Sequence, residues 1–144
     1  MRIELRAATE EDRAFVEELY FSTQRWIIEK LFGWRGDAVE KAKFASFYDQ
    51  RNTQIILDED RAMGWWTVVR DDDFVELGQI CLTPEHQRRG IGTLLISQLI
   101  EEAKEQRKTA SVSTAKINPA LSLYKRLGFV PVSETDFKIY LERR

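Results

Sequence analysis

The chain has 144 residues, 43% hydrophobic and 32% charged, with a formal net charge of −2, one Cys and one His. That length suits one domain, residues 1–144. The charge lacks the basic footprint of a nucleic-acid binder, and no apolar run reaches membrane-spanning length. A lone Cys81 forms no internal disulfide, and Cys81 with His86 falls short of a zinc ligand set. A cytoplasmic protein without a metal is expected, monomer or homodimer.

Met1-Arg2-Ile3-Glu4 leads into an alternating segment, not a signal peptide, and Ile3 to Ala7 reads as an outer strand. Thr9 before Glu10, Glu11 and Asp12 predicts an N-cap with an acidic first turn. The helix that follows presents Phe15, Val16, Leu19, Tyr20 and later Trp26 and Ile27 on its apolar side. Phe32 to Gly36 breaks it, and Asp37 is placed to cap a second helix from Ala38 to Tyr48. Phe21, Trp26, Phe32, Trp34, Phe44, Phe47 and Tyr48 make this half aromatic. Most of these rings are expected in the core, and the alternative is that one or two line a binding pocket.

Thr53 to Leu57 and Ala62 to Val69 read as a hairpin across Asp58 to Arg61. Gly64 inside the second strand signals a bulge or a close backbone approach, and Trp65 and Trp66 point to opposite faces. Asp71-Asp72-Asp73 reads as a solvated turn, the alternative being a metal or amine-binding cluster. A central strand, Phe74 to Leu82, then runs through the turn Thr83-Pro84-Glu85 into Gln87-Arg88-Arg89-Gly90-Ile91-Gly92-Thr93. Next comes a helix with Ile91, Leu94, Leu95, Leu99 and Ile100 at stripe spacing, and His86 beside the loop is expected at the surface. Ser111 to Ile117 is a weak strand, Tyr124 lies on a following helix, and Gly128 is its C′ residue. Phe129 to Val132 and Phe137 to Leu141 form a last antiparallel pair. The sum is an α/β domain of the mixed α+β kind, with about six or seven strands and helices on both faces.

Two glycines between a strand and a helix leave the first helical N–H groups uncovered, and with the positive end of the macrodipole they favour an anion. Arg88 and Arg89 add charge there. There is no Gly-Lys-Ser/Thr, and the third glycine of a dinucleotide fingerprint is missing, so neither of those phosphate loops is present. What remains is Gln-x-x-Gly-x-Gly from Gln87 to Gly92, which on its own also fits a helix that simply begins at glycines.

Asn118-Pro119-Ala120-Leu121-Ser122-Leu123-Tyr124-Lys125-Arg126-Leu127-Gly128-Phe129 lies further along. With both stretches, the chain resembles the GNAT superfamily of acyl-CoA-dependent N-acyltransferases over residues 74 to 141, and before that in layout only. The resemblance implies a mostly antiparallel sheet, splayed at a cofactor cleft, and acetyl-CoA as cofactor. It implies pyrophosphate at Arg89, Gly90, Ile91, Gly92 and Thr93, with Gln87 and Arg88 at the rim. It also implies pantetheine along the backbone of Ile80, Cys81 and Leu82, with the Leu82 N–H facing the thioester carbonyl. Tyr124, four residues before Gly128, matches the family's acid for the departing sulfur, or is a packed helical tyrosine. Asn118 either touches pantetheine or caps its helix.

Glu76, an acid on an otherwise apolar strand, is paired, exposed or functional. The resemblance offers it as the base for the amine proton, and burial would raise its pKa towards a useful range. The alternative is a water chain. Cys81 reads as a small buried hydrophobe, not a nucleophile. The expected activity is N-acetyl transfer by direct attack of a primary amine, the acceptor a small molecule. A protein-lysine or protein N-terminal acetyltransferase and a non-catalytic acyl-CoA-binding module are the alternatives.

Overall fold

The computed structural model describes residues 2–144. In chain order the elements are β1 (Ile3–Ala7), α1 (Arg13–Phe32), α2 (Asp37–Phe47), β2 (Thr53–Asp58), β3 (Arg61–Arg70) and β4 (Phe74–Leu82). Then follow α3 (Ile91–Glu105), β5 (Thr109–Ala115), α4 (Ala120–Arg126), β6 (Val130–Glu134) and β7 (Lys138–Arg143). The seven strands form one sheet in the order β1-β2-β3-β4-β5-β7-β6. It is mixed and mostly antiparallel, with β4–β5 as the parallel pair and helices on both sides, as expected. Two compact units share it: residues up to Thr67 with Cys81–Thr83, and Val68–Ile80 with Pro84–Arg144.

In the N-terminal unit, β2 and β3 form the predicted hairpin across Glu59 and Asp60, Glu59 taking the left-handed φ of 56°. Ile56 faces Gly64 but Leu57 faces Ala62, which leaves Met63 as the extra residue of a bulge. A side chain at Gly64 would run into the Cys81 carbonyl oxygen, so the close approach is also present. Val16, Leu19, Phe44, Ile55, Trp65 and Cys81 form the core here. Burying each large apolar side chain of such a cluster contributes roughly 1.5–3 kcal/mol. Phe44 is the hub of the aromatics, 4.9 Å from Tyr20 and stacked at 5.3 Å on Tyr48.

Three of the rings expected inside are exposed: Trp26 at 45%, Phe32 at 51% and Phe47 at 43%. A residue turns the helix by about 100°, so with Ile27 pointing inward its neighbour Trp26 lies at the stripe's edge. Phe32 is the last residue of α1, and Phe47 the last of α2. Asp37 does not cap α2; it is the first helical residue, Gly36 holds the cap position, and the Asp37 carboxylate accepts the Trp34 indole N–H at 2.9 Å. Glu40, only 2% exposed, closes the loop by accepting the Arg35 backbone N–H and its Nε, each at 3.1 Å.

In the C-terminal unit the strands alternate between a buried and an open face. Val75, Leu77, Ala110, Val112, Ile139 and Leu141 are buried, and α3 packs on β5. The stripe of α3 steps by four through Ile91, Leu95, Leu99 and Ala103, with Ile96 and Ile100 beside it. Leu94 falls on the far side and is 45% exposed, against expectation. β5 begins at Thr109, ahead of the predicted Ser111, because the Thr109 N–H bonds the Asp73 carbonyl at 2.9 Å. It ends at Ala115, ahead of the predicted Ile117, where the Asn118 N–H turns back to the Ala115 carbonyl at 3.0 Å. The aspartate turn is as expected: Asp71 Oδ1 accepts the N–H groups of Asp73 and Phe74 at 2.9 and 2.7 Å. Arg70 ties β3 to α3 through two bonds to Glu102, at 2.6 and 3.0 Å.

Candidate active site

After β4 a 3-10 turn, Pro84–His86, tucks the imidazole inward, so His86 is buried and not a surface residue. Arg88 at φ 62° and Gly90 at φ 79° are both left-handed and turn the chain sharply into α3. Outside glycine that conformation costs about 1 kcal/mol or more, so Arg88 carries strain. The bond from the Leu94 N–H to the Gly90 carbonyl, 2.9 Å, is the first of the helix. The N–H groups of Ile91, Gly92 and Thr93 therefore have no acceptor within α3. A Cβ at Gly90 or Gly92 would meet nothing within 4 Å, so bare backbone fronts open space. Gln87, Arg88 and Arg89 are exposed beside it. Charge, dipole and open N–H groups converge on one place.

The parallel ladder between β4 and β5 runs from Phe74↔Thr109 to Leu77↔Val112 and stops. β5 stays paired to β7 beyond that point, Ser113 with Tyr140 and Ala115 with Lys138. The parting is thus on the β4 side, at Gly78, Gln79 and Ile80. Strand backbone that has left its neighbour offers N–H and C=O groups to another partner.

α4 ends in a Schellman motif. The Phe129 N–H bonds the Tyr124 carbonyl at 3.1 Å and the Gly128 N–H bonds the Lys125 carbonyl at 3.0 Å, with Gly128 at φ 94°. Tyr124 is the C3 residue and Phe129 the C″ residue, their rings edge to face at 6.1 Å. The spacing Tyr-x-x-x-Gly-Phe is the spacing this cap requires. Tyr124 is buried, 5% exposed. Asn118 acts as a cap in this structure, its Oδ1 accepting the Ala120 N–H at 3.0 Å.

Glu76 is exposed, on the paired stretch of β4 opposite Ser111. At a rise of about 3.3 Å per residue, Ile80 lies roughly 13 Å further along the strand. Glu76 instead shares an open groove with Ser111, Ser113, Tyr140 and Glu142. Sequence reasoning missed those four. Their signal is the alternation of Ser111 and Ser113 with buried Ala110 and Val112, and of Tyr140 and Glu142 with buried Ile139 and Leu141. In the N-terminal unit, Cys81 is 1% exposed, its sulfur takes a bond from the Thr23 hydroxyl at 3.4 Å, and burial pushes the thiol up to about 12. It is the buried hydrophobe expected.

The profile of the Acetyltransferase (GNAT) family matches residues 9–129, most of the chain. The chain belongs to the GNAT family. No curated protein matches this GNAT chain, but solved structures do along nearly their whole length. The PaiA N-acetyltransferase of Thermoplasma acidophilum, in complex with coenzyme A, is 15% identical with a TM-score of 0.77, covering 100% of this chain and 99% of that one. The ribosomal-protein-S18-alanine N-acetyltransferase of Escherichia coli is 19% identical with a TM-score of 0.69, over 98% and 92% of the two chains. Arabidopsis thaliana Naa50, with the bisubstrate analogue CoA-Ac-MVNAL, is 14% identical with a TM-score of 0.67, over 100% and 99%. At such identities these structures share the fold of the GNAT chain and do not identify its acceptor.

Proposed function

We propose that this GNAT protein moves an acetyl group from acetyl-CoA to a primary amine by direct transfer, with a small molecule as acceptor. The observation that carries it is the β4–β5 ladder ending at Leu77↔Val112 in the same unit as a glycine-opened helix start. Bare backbone at Gly90 and Gly92, flanked by exposed Arg88 and Arg89, fits a pyrophosphate. Arg89 to Thr93 would hold it, with Gln87 at the rim, and the backbone from Gly78 would run beside pantetheine. When bound, the cofactor supplies the acetyl thioester.

The Leu82 N–H would be the donor towards the carbonyl oxygen on which negative charge builds, a preorganised dipole worth more there than in water. Tyr124 would be the acid that protonates the departing sulfur as the C–N bond forms and the C–S bond breaks. A general base acts within hydrogen-bond reach or through one water. Because Glu76 is exposed and short of the parting, we assign the amine proton to solvent water, not to the Glu76 carboxylate. A macromolecular acceptor is the second reading, favoured by the exposed Trp26, Phe32 and Phe47. Thiol release across a panel of amines and peptide N-termini decides between them, and release with none of them sinks the enzyme. Calorimetry with CoA on Gly92→Val is expected to show affinity falling at least tenfold with the fold intact. Unchanged affinity would move the pyrophosphate elsewhere.

A further inference from the structure

The open face of the C-terminal unit holds a groove walled by Phe74, Glu76, Ser111, Ser113, Tyr140 and Glu142. Strand register explains the set. Glu76 faces Ser111 across the parallel ladder, and Ser111 faces Glu142 across the antiparallel one, so the three form a row. Neighbouring strands lie about 4.8 Å apart, which sets the two glutamates roughly 10 Å apart with Ser111 between them. Ser113 and Tyr140 form the next row, and Ser113 is the first β5 residue beyond the last β4–β5 pair. The groove therefore starts where the strands part and runs down to Glu76 and Glu142, with Asp71 also in its lining.

Carboxylates, a hydroxyl and aromatic faces together recognise an ammonium group. Tyr140 already carries one from its own chain, Lys138 Nζ at 5.4 Å from the ring centroid. Glu142 pairs weakly with Arg144, at 3.3 Å, whose side chain is 81% exposed. A pair so exposed contributes under about 1 kcal/mol and yields to a better-placed cation. We infer that the acceptor is a small dication, with its second positive charge held between Glu76 and Glu142 while its reacting nitrogen lies at the parting of β4 and β5. This rests on the acetyl-transfer reading and adds the acceptor's charge and length. The row of Glu76, Ser111 and Glu142 crosses β4 at Glu76, two residues before Gly78 and four before Ile80, so the nitrogens are about 7–13 Å apart. That span corresponds to roughly five to nine methylenes between them.

The test is steady-state thiol release with α,ω-diamines of graded length against n-alkyl monoamines of equal length, with calorimetry of 1,6-diaminohexane on the CoA-saturated protein. Mid-length diamines are expected to exceed matched monoamines by about tenfold in kcat/KM. Glu142→Gln should remove that advantage and leave monoamine kinetics unchanged, and Glu76→Gln should repeat the loss. Amine turnover with no gain from a second charge overturns the dication and leaves acetyl transfer standing. Diamine heat that vanishes in Glu142→Gln supports the groove even if nothing is turned over, an outcome that overturns the reaction alone. No diamine heat in the wild type overturns the groove.

Discussion

Tyr124 stands at C3 of a helix cap with its ring against Phe129, and a phenylalanine there keeps that contact. Tyr124→Phe should therefore fold normally and bind CoA with unchanged affinity. If the phenol is the acid, kcat falls by about 10²–10⁴-fold, and a wild-type kcat would leave the residue with packing alone. Glu76→Gln separates a base from water: with a monoamine acceptor the pH–rate curve should keep its height and shape. A collapse near neutral pH that recovers at high pH would restore Glu76 as the base. Burial is where single residues were least legible. His86, Leu94 and Trp26 each sit one turn or one short loop away from where residue type and spacing put them.

Elements were far more legible. The ends of β4 and the helix start after Gly90 follow from turn residues on either side of apolar runs. Gly128 illustrates why. At φ 94° it holds a conformation that costs other residues about 1–2 kcal/mol. Its Cβ would also press on the flexible Arg143 side chain, Nε at 2.9 Å. Gly128→Ala is expected to lower stability by about 1–2 kcal/mol in denaturant melts, with the midpoint shifted and the slope kept. No shift would mean that the cap carries little of the local stability.

Four carboxylates pin the molecule's junctions. Asp12 is lowered from 3.8 to about 2, mainly by its hydrogen bond from Arg6. Glu40 is lowered by Arg35, Asp71 by the N–H groups of Asp73 and Phe74, and Glu102 by Arg70. A depressed folded pKa gives stability that is present above the unfolded values, 3.8 for Asp and 4.5 for Glu, and is lost as pH falls through the folded ones. Tm should thus be level above about pH 5.5 and decline steadily towards pH 2. Arg6→Gln should lower Tm at neutral pH and make the acid decline shallower. Equal Tm at pH 3 and pH 7 in the wild type would remove these bonds from the stability of the fold.

The sequence by itself determined the family, the strand and helix order, the glycine-opened helix start and the capped helix of Tyr124. Each of these is local: glycine, proline and alternating apolar residues act through the backbone within a few positions. Only the tertiary structure decided that the β4–β5 ladder stops at Leu77↔Val112, since pairing depends on a strand 35 residues away from its partner. It also decided that Glu76 stands in the open with Ser111 and Glu142, because which face of a strand is covered is set by what packs on it, not by the strand. A carboxylate that reads as paired, exposed or functional in one dimension stands, in three, in an open groove with Ser111, Tyr140 and Glu142.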